Sequence, residues 1–458
     1  MSPYRHLFGI QYGIFTLLFR IAHCRDERDV DMRPPRRPYV AATSLPCSAY
    51  VAPTDRRHHL RSYASRGPIP PVDMTFGELH GLPLKALATR PVTEQFPDLN
   101  SGVVHLDAPA GTLAHAAVLD VLENYRKNSV GVPWHRSQVA LNWAANRFRA
   151  LIGAPGGAVS FGPDMTSLTQ AFVRSIEPAL LPGDEVVCTT LDHRSNVDPW
   201  RQAAHRRGAA VRMAEVSPDG RLTVDAVATQ LGPRTRWIAV TAGSNALGTA
   251  PDLVGICAAA RLAGAQVFVD GAQAPAHLPV DVAAWGCDVF VTSAATWYGP
   301  GCGILWRRGG RISATLLRGA APTGRPGIEA ILATGVAAEV LMHWDRASVF
   351  RHGERLANLL ARSLRMIDGV RVLGRSGDAA RLPIVAFQVA DRPAAEVAAQ
   401  LANGGVVVGH GTFGSEPALR AVTPETPEAL RAGMARYTSR ADVRALIAML
   451  AGIAATRD

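Results

Sequence analysis

Lysine is almost absent from this chain. Of 48 basic residues only Lys85 and Lys127 are lysines, and none follows position 127. Chemistry that needs a side-chain amine downstream of that point has no residue to supply it. Cysteine is sparse too: Cys24, Cys47, Cys188, Cys257, Cys287 and Cys302 form no C-x-x-C pair and show no metal-ligand spacing. They read as reduced, mostly buried thiols, and no metal site is expected. No run reaches the roughly 18 apolar residues of a membrane span. Leu7 to Phe19 comes nearest, but Gln11, Thr16 and two glycines interrupt it and Arg20 ends it.

The charge is unevenly spread. The net charge is +10, of which residues 1–73, with eleven arginines and six acids, carry +5. The remaining +5 is too dilute for a nucleic-acid groove, and no basic-aromatic interleaving appears. Neither nucleic acid nor membrane is therefore an expected partner. Pro34-Pro35-Arg36-Arg37, Arg56-Arg57-His58-His59 and Pro68 to Pro71 are linker-like. Residues 1–73 are expected to be a disordered extension or a mis-assigned start, with Met74 as a natural first residue.

From residue 100 onward, apolar runs alternate with helical stretches. Ala158–Phe161, Glu185–Thr189, Arg236–Thr241, Gln266–Asp270 and Asp288–Thr292 are short runs of this kind. Helical segments follow from near Thr166 and Asn196, and an amphipathic one carries Ala144, Phe148, Leu151 and Ile152. Continuous rather than alternating apolar runs suit strands buried on both faces of a largely parallel sheet. After about residue 345 come a long helix (Arg355–Ile367), Val370–Leu373, Leu382–Val389, a helix near Ala394–Leu401, and Gly405–Val408. The expected organisation is a large α/β domain over 74–345 and a smaller C-terminal α/β domain over 346–458. One segment reads two ways: Thr426-Pro427-Glu428 looks like a capped helix start, whereas the resemblance described below makes Arg431–Tyr437 a strand.

Four of the strands end in polar groups. Asp270 closes Gln266–Val269, where a carboxylate at a parallel strand's C-terminal end faces the crevice in which such sheets bind ligands. There it could pair with a protonated ring nitrogen. Gly162-Pro163-Asp164-Met165-Thr166-Ser167 joins a strand to a helix whose amides and hydroxyls suit a phosphate. Asp192-His193-Arg194-Ser195-Asn196 and Ser244-Asn245-Ala246-Leu247-Gly248-Thr249 follow the next two strands. Each turn alone is unremarkable; their convergence suits one ligand.

These residues carry a resemblance. Asn100 to Asp107, Gly162 to Thr169, Leu191 to Trp200, Ser244 to Thr249 and Val269 to Val282 resemble the class V aminotransferase family, in its cysteine-desulfurase-like branch, in order over about 93–455. The resemblance implies a pyridoxal-phosphate-dependent transferase fold of type I: a large domain with a mostly parallel seven-stranded sheet, plus a small C-terminal α/β domain. By position it implies that Asp270 pairs with the pyridine nitrogen and His193 stacks on the ring. Asn245 and Gln273 would lie near the ring hydroxyl, and Met165, Thr166 and Ser293 would cradle the phosphate. Arg431 would hold the carboxylate of an amino-acid-like substrate, with Arg420 and Arg436 as rivals. A cytoplasmic homodimer is implied, or a heterodimer with a lysine-bearing paralogue.

The departures matter as much. The family's Ser-x-x-Lys before Tyr/Phe-Gly-Pro is here Ser293-Ala294-Ala295-Thr296-Trp297-Tyr298-Gly299-Pro300. Thr296 holds the place of the Schiff-base lysine, and a hydroxyl cannot condense with an aldehyde as an amine does. Arg325 stands where the family has a threonine that reaches a partner's phosphate, and 404–416 holds no cysteine. The expectation is a catalytically degenerate homologue, a pseudoenzyme. The alternative is an enzyme that holds pyridoxal phosphate non-covalently or does lysine-free chemistry. Lys127, near the implied active-site entrance, is a remote substitute for the lost anchor.

Overall fold

The computed structural model describes residues 90–128, 134–309, 324, 326–374 and 381–456. The expectations for residues 1–73, for Met74 and for Arg325 lie outside these.

Thirteen strands are formed by the described residues: β1 (Val104–His105), β2 (Ala158–Gly162), β3 (Glu185–Thr189), β4 (Ala210–Ala214), β5 (Thr235–Thr241), β6 (Gln266–Asp270), β7 (Val289–Ser293), β8 (Gly303–Arg307), β9 (Val370–Val372), β10 (Ile384–Val389), β11 (Val406–Val407), β12 (Gly409–Gly411) and β13 (Ala429–Gly433). Seven make one sheet in the order β2-β8-β7-β6-β5-β3-β4. The pairs from β7 through β4 are parallel, and β8 runs antiparallel to both β7 and β2. This is the mostly parallel seven-stranded sheet expected. A second, antiparallel sheet has the order β12-β13-β10-β9, and β1 pairs with β11 in parallel.

The apolar runs explain the large sheet. Alternate residues of each strand enter different cores: Val187, Ile238, Val240, Val267, Val269 and Phe290 lie on one side. On the other, Val186, Cys188, Trp237, Phe268 and Val289 meet an aromatic cluster. In it Phe172 lies 5.4 Å from Trp237 and 5.2 Å from Phe268, and Trp200 lies 5.5 Å from Trp237. With both faces buried, no strand of the centre can show polar alternation.

The helices used below are α1 (Met165–Ile176) and α2 (Arg194–Arg207), which pack on the large sheet, α3 (Ile328–His343), and α4 (Arg346–Leu364) and α5 (Arg440–Ala455), which share a core with the small sheet. Asp164 caps α1, accepting from the Ser167 amide at 2.7 Å, and His193 caps α2. Both helices thus begin on the residues that end the preceding βα turns, so the turn residues stay at the carboxyl edge of the sheet.

The ambiguous segment is a strand over Ala429–Gly433, earlier than the Arg431–Tyr437 the resemblance implied; residues 434–437 lie beyond it. Residues 429–433 pair with β10 on one side and with β12 on the other. Two rows of interstrand hydrogen bonds outweigh the local helix-start signal of Thr426-Pro427, whose weight is a few tenths to about 1 kcal/mol.

Candidate functional site

The site is assembled at the carboxyl ends of β3, β5, β6 and β7, beneath a segment running from Asp107 to His115. Asp270 is 3% exposed. One carboxylate oxygen accepts from the Ala272 amide at 2.9 Å, and burial pushes the group up to about 6. Gln273, also buried, donates from Nε2 to the Pro109 carbonyl at 3.0 Å, and its Oε1 has no hydrogen-bond partner.

Beside Asp270 lies a second carboxyl that sequence reasoning passed over. Asp192 is 2% exposed; it accepts from Asn196 Nδ2 at 2.7 Å and from the Thr189 hydroxyl. Burial raises it to about 8, the charge of Asp270 adds to the rise, and the two hydrogen bonds oppose it. The unfolded chain ionises this group near 4, while the folded chain keeps the proton until about 8. Between those values the unfolded state binds fewer protons, so stability falls as pH rises. Asp192→Asn removes that dependence. Urea midpoints should leave the variant near the parent at pH 4.5 and more stable at pH 8 by about 1 kcal/mol or more; equal midpoints at pH 8 would contradict the raised carboxyl.

His193 accepts the Ser195 amide on Nδ1 at 3.1 Å, so the neutral ring carries its proton on Nε2. Burial holds its pKa below the usual value, with Arg194 and Arg431 acting in the same direction. A Cβ at Gly414 would lie 2.2 Å from that Nε2, which requires glycine at the approach of the 412–415 loop.

Met165, Thr166 and Ser293 come together through Gly303. This glycine pairs with Ser293, and a Cβ on it would meet Asp164 at 2.3 Å and the Met165 amide nitrogen at 2.8 Å. The start of α1 therefore abuts the end of β7. Asp164 already occupies the Ser167 amide there, leaving the Met165 and Thr166 amides for a ligand.

Thr296 lies in a single 3-10 turn, Ala294–Thr296. Its hydroxyl sits between two main-chain acceptors, Ser293 O at 2.8 Å and Ala272 O. The hydroxyl hydrogen is thereby committed to backbone. Two residues on, buried Tyr298 has φ +69°, a left-handed conformation that costs a non-glycine residue about 1 kcal/mol or more. The Tyr298 amide donates to Thr112 Oγ1 at 2.6 Å, and its hydroxyl accepts from the Arg436 amide at 3.0 Å. These bonds hold the turn that carries Thr296.

Arg431, 4% exposed, projects from β13 and is paired within the chain. Its Nε donates to Asp107 at 3.0 Å, its Nη1 to the Asn245 carbonyl at 3.1 Å, and its guanidinium lies 4.3 Å from the Phe413 ring centre. The Asn245 amide is spent on the same loop: Nδ2 donates to Phe413 O and Oδ1 accepts from Ser415 Oγ, both at 2.9 Å. Burial raises Asp107 despite the ion pair, and burial lowers Arg431. Both directions say that desolvation outweighs the mutual attraction. Asp107 and Phe413 were not among the sequence candidates. The signal for Asp107 was available in its place at the end of the Asn100–Asp107 motif; for Phe413 there was none. Of the rivals, Arg420 pairs with Glu416 on the surface and Arg436 stacks 4.5 Å over Trp344, away from this cluster. Lys127 is exposed and bonded to Glu123 at 2.7 Å.

A family model for aminotransferase class V matches residues 104–446. A cysteine desulfurase of Klebsiella pneumoniae is 32% identical over 291 residues, 58% of this chain and 70% of that protein. A probable cysteine desulfurase of Pseudomonas putida is 30% identical over 372 residues, 74% of this chain and 91% of that protein. Among solved structures, a cysteine desulfurase from Escherichia coli superposes with a TM-score of 0.70 at 26% identity, covering 78% of this chain and 96% of that one. The apo cysteine desulfurase of Thermococcus onnurineus gives 0.73 at 20% identity, covering 80% and 98%.

Proposed function

Because the chain belongs to the class V aminotransferase family, we propose that it is a catalytically degenerate member that keeps a pyridoxal-phosphate pocket without the anchoring lysine. The observation that carries this is Thr296: its hydroxyl is tied to main-chain carbonyls, and no lysine follows residue 127 to replace it.

The family works with pyridoxal phosphate, and the residues present fit it. Asp270 has a carboxylate oxygen without a hydrogen bond, and the buried Gln273 Oε1 has none either. Buried polar atoms left unpaired cost on the order of 1–3 kcal/mol, so a ligand that engages them is favoured. When bound, the cofactor supplies an electron sink for amino-acid chemistry. Asp270 would hold a proton on the ring nitrogen, His193 would cover one face, and the Met165 and Thr166 amides with Ser293 would take the phosphate. What the chain does not supply is a base at position 296. Positioned acid–base catalysis contributes about 10²–10⁴-fold, and a threonine hydroxyl is not basic near neutral pH.

A second reading has its own support. The orphaned Gln273 Oε1 and the buried Asp270 suit an enzyme that holds the cofactor non-covalently and acts on a small amino-acid-like substrate. A homodimer in the cytoplasm, or a heterodimer with a lysine-bearing paralogue, remains part of the proposal.

Titrating the purified protein with pyridoxal phosphate, followed by visible absorption, tests both. Saturable binding, weakened about tenfold or more by Asp270→Asn (about 1.4 kcal/mol), is expected. Binding no better than to serum albumin would remove the pocket from both readings. A band that shifts with one amino acid and turns that amino acid over would favour the second.

A further inference from the structure

A separate cavity of about 770 Å³ lies between α4 and the segment from Arg436 to Arg440. It follows from a stripe on α4: His352, Arg355, Leu356, Leu359 and Arg362 recur at helical spacing and share one face. Leu356 and Leu359, with Val92 and Tyr437, make an apolar floor. Arg355, Arg362, Arg436 and Arg440 line the same space, and among the described residues no Asp or Glu does.

The arginines are unspent. Arg355, Arg362 and Arg440 have no hydrogen bond or ion pair from their side chains to any described residue, whereas Arg351 on the same helix pairs with Asp345. Arg436 stacks on Trp344, yet its Nε is buried without a hydrogen-bond partner. His352 Nε2 lies 2.8 Å from the Thr438 carbonyl, which fixes α4 against the opposite wall. Guanidiniums that line one space and are not engaged by a side chain of their own favour an anion there.

We propose that this cavity binds a small organic phosphate with an apolar body. Guanidinium forks match phosphate oxygens in pairs, and the Leu356, Leu359 and Tyr437 floor takes a hydrocarbon or ring. The volume falls within the roughly 300–1,000 Å³ of small-ligand sites, which favours a small molecule over a folded acidic partner. The site is distinct from the cluster around Asp270 and does not depend on how Thr296 is read.

Calorimetry of the full chain, free of pyridoxal phosphate, with octyl phosphate tests it. The expected result is saturable one-to-one binding, at least tenfold weaker for inorganic phosphate and undetectable for octanol. Arg355→Ser with Arg362→Ser should weaken octyl phosphate at least tenfold with an unchanged melting temperature, since neither side chain bonds to its neighbours. Arg174→Ser, an exposed arginine elsewhere, should leave affinity unchanged. Absence of binding, or equal binding by the double variant, overturns the proposal. So does tighter binding of hexaglutamate than of octyl phosphate, which would mark the groove as a docking site for an acidic protein.

Discussion

Thr296→Lys is expected to make the protein hold pyridoxal phosphate covalently. After borohydride reduction the cofactor mass should appear on the peptide containing position 296, near one per chain, and not on that peptide of the parent protein. The substitution removes one hydroxyl and its bonds to Ser293 O and Ala272 O. The turn itself is kept by other bonds: Trp297 N to Ala294 O at 3.0 Å, Gly299 N to Ala294 O at 2.9 Å, and Tyr298 N to Thr112 Oγ1 at 2.6 Å. The strained Tyr298 backbone therefore stays in place, and the new side chain starts from the turn at the end of β7. Adding Asp270→Asn should lower the label several-fold, because the ring nitrogen loses its anion while the amine remains. A folded Thr296→Lys protein that takes no label would count against the proposal that this turn borders a pyridoxal-phosphate pocket. Label that is indifferent to Asp270→Asn would mean surface modification rather than a restored site.

How far this could be read beforehand differs from element to element. Glu185–Thr189 and Gln266–Asp270 are strands over the same residues in sequence and structure, because a strand buried on both faces is a short apolar run bounded by turn residues. Ala210–Ala214 was not picked out. It is an edge strand, half exposed, with Arg212 reaching back to Glu185 at 2.7 Å, and its Ala, Arg and Met have little strand preference. The strand Ala429–Gly433 was undecided locally and is settled by partners about 45 and 20 residues upstream. The same division holds for the site. Asp270, His193 and Asn245 stand at strand ends, where position alone marks them. Asp107 becomes meaningful only through Arg431, 324 residues away, and Asp192 only through its burial beside Asp270. Spacing along a chain does not encode either contact.

The Asp107–Arg431 pair yields the second large effect, and its sign differs between one substitution and two. Arg431 is 4% exposed and its pKa is lowered by burial, with Asp107 as the carboxylate that opposes the fall. Asp107→Ala leaves a buried guanidinium with the Asn245 carbonyl and the Phe413 ring as its remaining company. Removing one member of a buried pair costs about 3–5 kcal/mol, and the Asp107 side chain is 21% exposed, so a loss near the lower end, about 3 kcal/mol, is expected in urea unfolding. Arg431→Met alone strands a carboxylate instead, with a smaller loss at pH 7 that shrinks as pH falls and Asp107 takes up its proton. The double variant should recover much of the larger loss, because desolvation outweighs attraction in the intact pair and neither charge is then left behind. Losses that simply add would mean the two residues act independently, contrary to the geometry. If the cycle shows strong coupling, Arg431 is held by the chain's own carboxylate before any ligand arrives. On the proposal that Arg431 also receives an amino-acid carboxylate, that ligand must displace Asp107 or share the fork with it, and weak amino-acid binding that tightens in Asp107→Asn would be the signature.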